Sequence, residues 1–211
     1  MCPTKEKRLF IHNPSTLETL YCLRDSPFWA EKLLDDNYGH KDFLKDLIAK
    51  NFYQSEDSPS IKFIASDLSL TATKVSKWIK DIYNDILLLN QLNPEMFRSA
   101  GTEHLCHFRN YDNHQSFSVW LTQTPRNYEN VDLYFLKAKM GTDTFMVTEV
   151  SHSFFDNRQV VILTLKGGYC NRYREELVQR ALFEGVLGFM DTYKKSGYEI
   201  DEILRKHYSG S

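Results

Sequence analysis

The chain of 211 residues carries 26 Lys and Arg against 28 Asp and Glu, a formal net charge of -2. With 42% hydrophobic and 26% charged residues, it has the composition of a globular chain long enough for one large domain or two small ones, which excludes a disordered or fibrous protein. Balanced charge also excludes a polycation that coats nucleic acid by bulk attraction, but leaves room for a small basic reading surface.

No apolar run approaches the roughly 18 residues of a membrane span, and residues 1–8 lack the apolar core of an export signal. A cytoplasmic chain with no membrane partner is therefore expected. The four cysteines, Cys2, Cys22, Cys106 and Cys170, show no CxxC spacing and read as reduced thiols.

Residues 8–12 form a short apolar stretch that fits a strand. Asn13-Pro14-Ser15 signals a turn, with Ser15 able to cap a helix over 16–24. Ser26-Pro27 starts a second helix, serine as N-cap and proline at the first helical position. That helix is expected to turn Phe28, Trp29, Leu33 and Leu34 inward before stopping at 37–40. A third helix is predicted over 41–52, because Phe43, Leu44, Leu47, Ile48 and Phe52 recur at the 3–4 spacing of one apolar stripe. Residues 55–60 read as a loop. Ser60 then caps a helix carrying Ile61, Ile64, Ala65 and Leu68. After a short connection a longer helix begins near Ala72, carries Val75, Trp78, Ile79, Ile82 and Ile86, and ends at Asn93-Pro94.

From about Cys106 the period changes to two. Residues 116–121, 131–138, 145–151 and 159–166 alternate apolar and polar side chains, and short turn signals separate them. Four such segments predict an antiparallel meander, with Gly141-Thr-Asp143 and Phe155-Asp-Asn157 as turns. After Gly167-Gly168 the helical period returns in one helix through Leu177, Ala181, Val186 and Phe189 to about Lys195, followed by a short helix at 200–204 and a frayed tail at 209–211. The fold class is thus α+β, an N-terminal helical region (1–93) followed by an antiparallel β-meander packed with C-terminal helices (103–211). Residues 94–102 read as the linker.

The segment Phe63-Ile-Ala65-Ser-Asp-Leu68-Ser69-Leu70-Thr-Ala-Thr-Lys-Val75-Ser-Lys-Trp78-Ile79 resembles the helix-turn-helix DNA-binding family, over about 20 of the 211 residues. A small residue, Ala65, stands where two helices would touch, and Ile64, Leu68, Val75 and Trp78 face inward. The outer face of the second helix reads Thr71, Thr73, Lys74, Ser76, Lys77 and Lys80, hydroxyls and ammonium groups suited to base edges and phosphates. Between residues 61 and 82 four lysines oppose two aspartates, a local net charge of +2 inside an acidic chain. Many family members place glycine in the turn. This chain has Ser69, whose Cβ disfavours a positive φ, so a turn of different length or type is expected. The resemblance implies a DNA-binding protein, a transcriptional regulator or DNA-transaction accessory factor, with double-stranded DNA as partner and a homodimer formed through the C-terminal half.

Other constellations point elsewhere. A helix pair of this kind also serves as a purely structural part of a protein-interaction module. Asn171, Arg172 and Arg174, after the Gly167-Gly168 bend, fit a low-specificity anion site at a helix start, with pairing to Glu175 and Glu176 as the competing role. Asp132 and Glu149 with Lys137 and Lys139 are the candidate set for a metal-dependent nuclease. His104, Cys106, His107 and His114 are close in sequence. On an extended segment, however, His104 and Cys106 share a face that His107 does not. No Walker or Rossmann spacing and no local nucleophile signature is present, so no cofactor, no resident metal and no catalytic residue is assigned.

Overall fold

Serine and threonine hydroxyls set the starts of the helices that matter here. The computed structural model describes residues 11–34, 39–54, 59–155, 158–169 and 171–208. The expectations that fall on residues 8–10, 37–38, 55–58, 156–157, 170 and 209–211, and on the Phe155 side chain, lie outside them. Ser15 accepts a hydrogen bond from the Glu18 N–H and opens α1 (Thr16–Arg24), and Pro27 opens α2 (Pro27–Glu31). The helices α3 (Lys41–Ala49), α4 (Ile61–Asp67) and α5 (Ala72–Leu92) follow. Two expected inward residues differ. Phe28 is exposed, its ring covered by the Lys32 ammonium at 4.2 Å. Phe52 is buried, but not as part of α3. The chain leaves that helix at Lys50 and takes left-handed φ values of 48°, 49° and 59° at Asn51, Phe52 and Tyr53. Such residues cost about 1–2 kcal/mol each. Burial of both aromatic rings offsets that strain.

Strands β1 (Thr102–Asn110), β2 (Asn113–Leu121), β3 (Asn130–Asp132), β4 (Thr144–Phe155) and β5 (Arg158–Gly167) make one sheet in the order β2-β1-β5-β4-β3. The sheet is mixed, not an all-antiparallel meander. Two hairpins, β1–β2 and β4–β5, join through a parallel β1–β5 pair, Cys106 opposite Leu163. The strand at 102–110 is additional to those expected. The run expected as a strand at 131–138 is a strand only to Asp132, then a 3-10 turn (Tyr134–Leu136) and the helix α6 (Lys137–Met140). Phe135 and Leu136 are adjacent and both buried, which a strand with one covered face does not allow. Gly141 ends this helix at φ 74° rather than turning a hairpin.

The α1–α6 helices and the sheet share one core. At its centre lie Trp29, Tyr83, Phe97, Phe117 and Phe135, with Trp29 and Phe135 centroids 4.8 Å apart and Tyr83 and Phe135 also 4.8 Å apart. The expected boundary near 94–102 is therefore not where compactness changes. The chain divides into Met1–Tyr169 and Cys170–Ser211. The second unit contains α7 (Arg172–Phe183), α8 (Asp191–Lys194) and α9 (Gly197–Tyr208) around a small core of Val178, Ala181, Leu187, Ile200 and Leu204. The single helix expected to reach Lys195 stops at Phe183. Gly185 takes φ 73°, and the Val186 N–H donates to the Ala181 carbonyl, closing a Schellman cap.

His104 is fully buried in the sheet. Its Nδ1 lies 2.8 Å from the Thr102 carbonyl oxygen and its Nε2 2.9 Å from Thr124 Oγ1. A carbonyl only accepts, so the proton sits on Nδ1 and Nε2 accepts from the threonine hydroxyl. Burial holds the imidazole below its ordinary pKa. The unfolded chain therefore takes up the proton first as pH falls, so His104 favours the fold above about pH 6.5 and this contribution is lost below it. The urea midpoint is expected to drop between pH 7 and pH 5. The drop should be smaller in His104→Gln, and equal pH dependence in the two chains would refute this assignment.

A candidate nucleic-acid interface on α5

The turn between α4 and α5 is short because its backbone groups are satisfied locally. Ser60 caps α4 by accepting from the Phe63 N–H at 3.1 Å. At the other end the Leu70 N–H donates to the Ala65 carbonyl (2.8 Å) and the Ser69 N–H to the Ser66 carbonyl (3.2 Å). This is a Schellman motif, and it requires a left-handed residue at 69. Ser69 supplies it with φ 54°. The expectation that serine forces a different turn is thus corrected, since the paired carbonyls and the buried Ile64 and Ala65 outweigh its Cβ cost. Ser69→Gly is expected to stabilise the chain by about 0.5–1 kcal/mol, read as a rise of a few degrees in Tm. A fall in Tm would show that serine is not strained there.

Thr71 then caps α5, accepting from the Lys74 N–H at 3.3 Å. The cap contributes about 1 kcal/mol and sets where the helix begins. Val75, Ile79, Ile82 and Ile86 are buried along its inner face. Of the residues predicted to read DNA, Thr71, Thr73, Lys74, Lys77 and Lys80 are exposed and Ser76 is half-buried. At 100° per residue, Lys74, Lys77 and Lys80 span an arc of about 120°, with Thr73 inside it. The Lys74 ammonium lies 4.3 Å above the Trp78 ring, and Trp78 in turn packs 5.3 Å from Phe43. That stacking holds Lys74 in one place. Lys77 and Lys80 form no ion pair with a described residue.

Two acidic groups near this helix are engaged elsewhere, while Asp81, on α5 itself, falls inside the lysine arc. Asp67 at the end of α4 accepts from the Tyr53 hydroxyl (2.9 Å) and pairs with Lys50 (3.2 Å), contacts that hold its carboxyl below the usual range. Asp85 lies 3.4 Å from the buried His40 ring. Asn84, one turn beyond Lys80, is also exposed. It was not among the predicted residues, although its i+4 and i+7 spacing from Lys80 and Lys77 places it on the same face.

The other candidate sets do not assemble in the same way. Arg172 pairs with Glu176 at 2.9 Å. Arg174 pairs with Asp201 (2.6 Å) and Glu175 (3.1 Å) and donates to the Gly197 carbonyl. Arg174 thus ties α7 to α9, while the Arg172 pair lies within α7 and Asn171 caps that helix by accepting from the Arg174 N–H. Asp132 accepts from Thr144 Oγ1 and stands opposite Thr144 in the sheet. Glu149 lies five residues further along β4, roughly 16 Å away, too far to share one metal ion. Lys137 pairs with Asp143 at 2.8 Å. Cys106 is buried and its thiol is pushed up to about 12, so it is no thiolate ligand at neutral pH. His107 contacts Ser116 on the opposite face. Among the described residues no three His, Cys, Asp or Glu side chains converge as a metal site. Compared with family models, curated proteins and solved structures, the chain matches none.

Proposed function

We propose that the chain is a DNA-binding protein, a transcriptional regulator or DNA-transaction accessory factor, that lays the first three turns of α5 in the major groove of double-stranded DNA. The observation that carries this reading is the joint placement of Lys74, Lys77 and Lys80 on the outer arc of a helix started by a Schellman turn and a threonine cap. Thr73 stands among them for a base edge, and Lys74, Lys77 and Lys80 supply phosphate or guanine contacts. Thr71 contributes through the helix start, where free N–H groups favour a phosphate.

A single helix offers few contacts, so the proposal includes a homodimer on two half-sites, paired through the C-terminal half. Exposed Phe183, Phe189, Met190 and Tyr193 in α7, α8 and the segment between them support that pairing surface. No helix among the described residues is long and apolar enough to cross a membrane, and a cytoplasmic location belongs to the same proposal.

The test is an anisotropy titration of random and selected duplexes at several salt concentrations. With three lysines on phosphates, log K is expected to fall with log salt at a slope near 3 per chain, with two chains per duplex. Binding that is absent, or indifferent to salt, would leave the helix pair as a structural part of a protein-interaction module.

A further inference from the structure

Beside Lys80 a cleft of about 220 Å³ opens between α5, α6 and residues 11–14. Lys80, Asn84 and Lys139 line it together with His12, Asn113 and Tyr83, and no carboxylate does. Lys137, two residues before Lys139, is neutralised by Asp143. Lys80 and Lys139 have no ion-pair partner among the described residues. Both lysines border the same cleft with no carboxylate in its lining, so an anion seated there would meet two like charges.

The wall of the cleft is held in place. The His12 N–H donates to Asn113 Oδ1 at 3.1 Å, and Asn113 Nδ2 donates to the Asn110 carbonyl at 3.2 Å. The Tyr83 hydroxyl donates to the Phe135 carbonyl at 2.7 Å. A side chain at Gly141 would come within 3.0 Å of the His12 ring, so glycine there lets the N-terminal segment approach. His12 Nε2 is 3.2 Å from Glu18, which orients the ring. The volume is below the roughly 300 Å³ of the smallest drug-sized sites. It suits one tetrahedral oxyanion and not a whole cofactor.

We infer that this cleft binds a phosphate group, with Lys80 and Lys139 as its charges and Asn84 as a neutral donor. With a duplex as the source this site rests on the proposed DNA reading; with a small phosphomonoester it does not. Its phosphate belongs either to the backbone of a duplex, since Lys80 also lies on the reading helix, or to a small phosphomonoester. Lysine suits both as a point charge.

Inorganic phosphate titrated into the full chain, against chloride at matched ionic strength, should produce saturable amide shifts at residues 80, 84 and 139. Lys139→Gln should weaken that binding about tenfold or more, with far-UV circular dichroism unchanged. The same variant titrated with duplex separates the two sources. A weaker complex whose salt slope is lower by about 1 assigns the phosphate to DNA, while an unchanged complex assigns it to a free phosphomonoester. If wild type binds no duplex, the DNA reading fails and the phosphate titration alone decides this site. No saturable shift, with duplex affinity unmoved by Lys139→Gln, overturns the inference.

Discussion

A chain carrying Lys74→Glu and Lys77→Glu is expected to lose measurable duplex affinity while keeping its fold. The double change reverses the local charge between residues 61 and 82 from +2 to -2. It removes the two phosphate contacts proposed for these lysines, which lowers the salt slope by about 2, and sets carboxylates against the phosphate backbone. Stability should change little. Lys77 is exposed, and surface substitutions of this kind stay within about 0.5 kcal/mol. Lys74 gives up its stacking on Trp78, worth about 0.5–1 kcal/mol at an exposed site, so Tm falls by only a few degrees. Circular dichroism beside the anisotropy titration separates loss of binding from loss of fold. Retained affinity in a folded double variant would sink the proposed function.

The second large effect concerns the core. Phe135 is fully buried against Trp29, Tyr83 and Phe117, and its carbonyl accepts from the Tyr83 hydroxyl. Through these rings it joins α2, α5 and β2. Truncation to alanine leaves a cavity that both helices and sheet must line. The expected cost is about 3–5 kcal/mol, a large share of the roughly 5–15 kcal/mol that holds a domain together. A thermal melt should show Tm lower by some 6–20 °C. Because the ring serves both halves, the helices and the sheet should melt together. Separate transitions for the 1–93 helices and the 102–167 sheet would contradict the shared core.

Much of α5 and its approach was legible in the chain. Ser15, Ser60 and Thr71 have side chains that accept from the backbone N–H three residues on, so these helix starts follow from local chemistry. The apolar stripe of α5 follows from its 3.6-residue period. The turn was less legible. Ser69 is intrinsically a poor left-handed residue, and only the completed Schellman bonds and the burial of Ile64 and Ala65 show why it adopts that state. Asn84 was within reach of the same periodic reasoning, whereas Lys139 was not. It lies 59 positions from Lys80, just past the end of the strand expected over 131–138, and only the fold of the chain brings it to the same cleft.

What the amino-acid sequence determined by itself is therefore local: the caps, the periodic faces, the α+β class, and a lysine-bearing helix in a chain of net charge -2. These depend on neighbours a few bonds or one turn away. The tertiary structure alone decided the parallel pairing of β1 with β5, the helical turn at residues 134–140, the sharing of one core across the expected boundary, and the placing of Lys80 and Lys139 around one cleft. Each depends on which distant apolar surfaces bury one another, and that choice is made by the packing of the whole unit rather than by any segment's own preference.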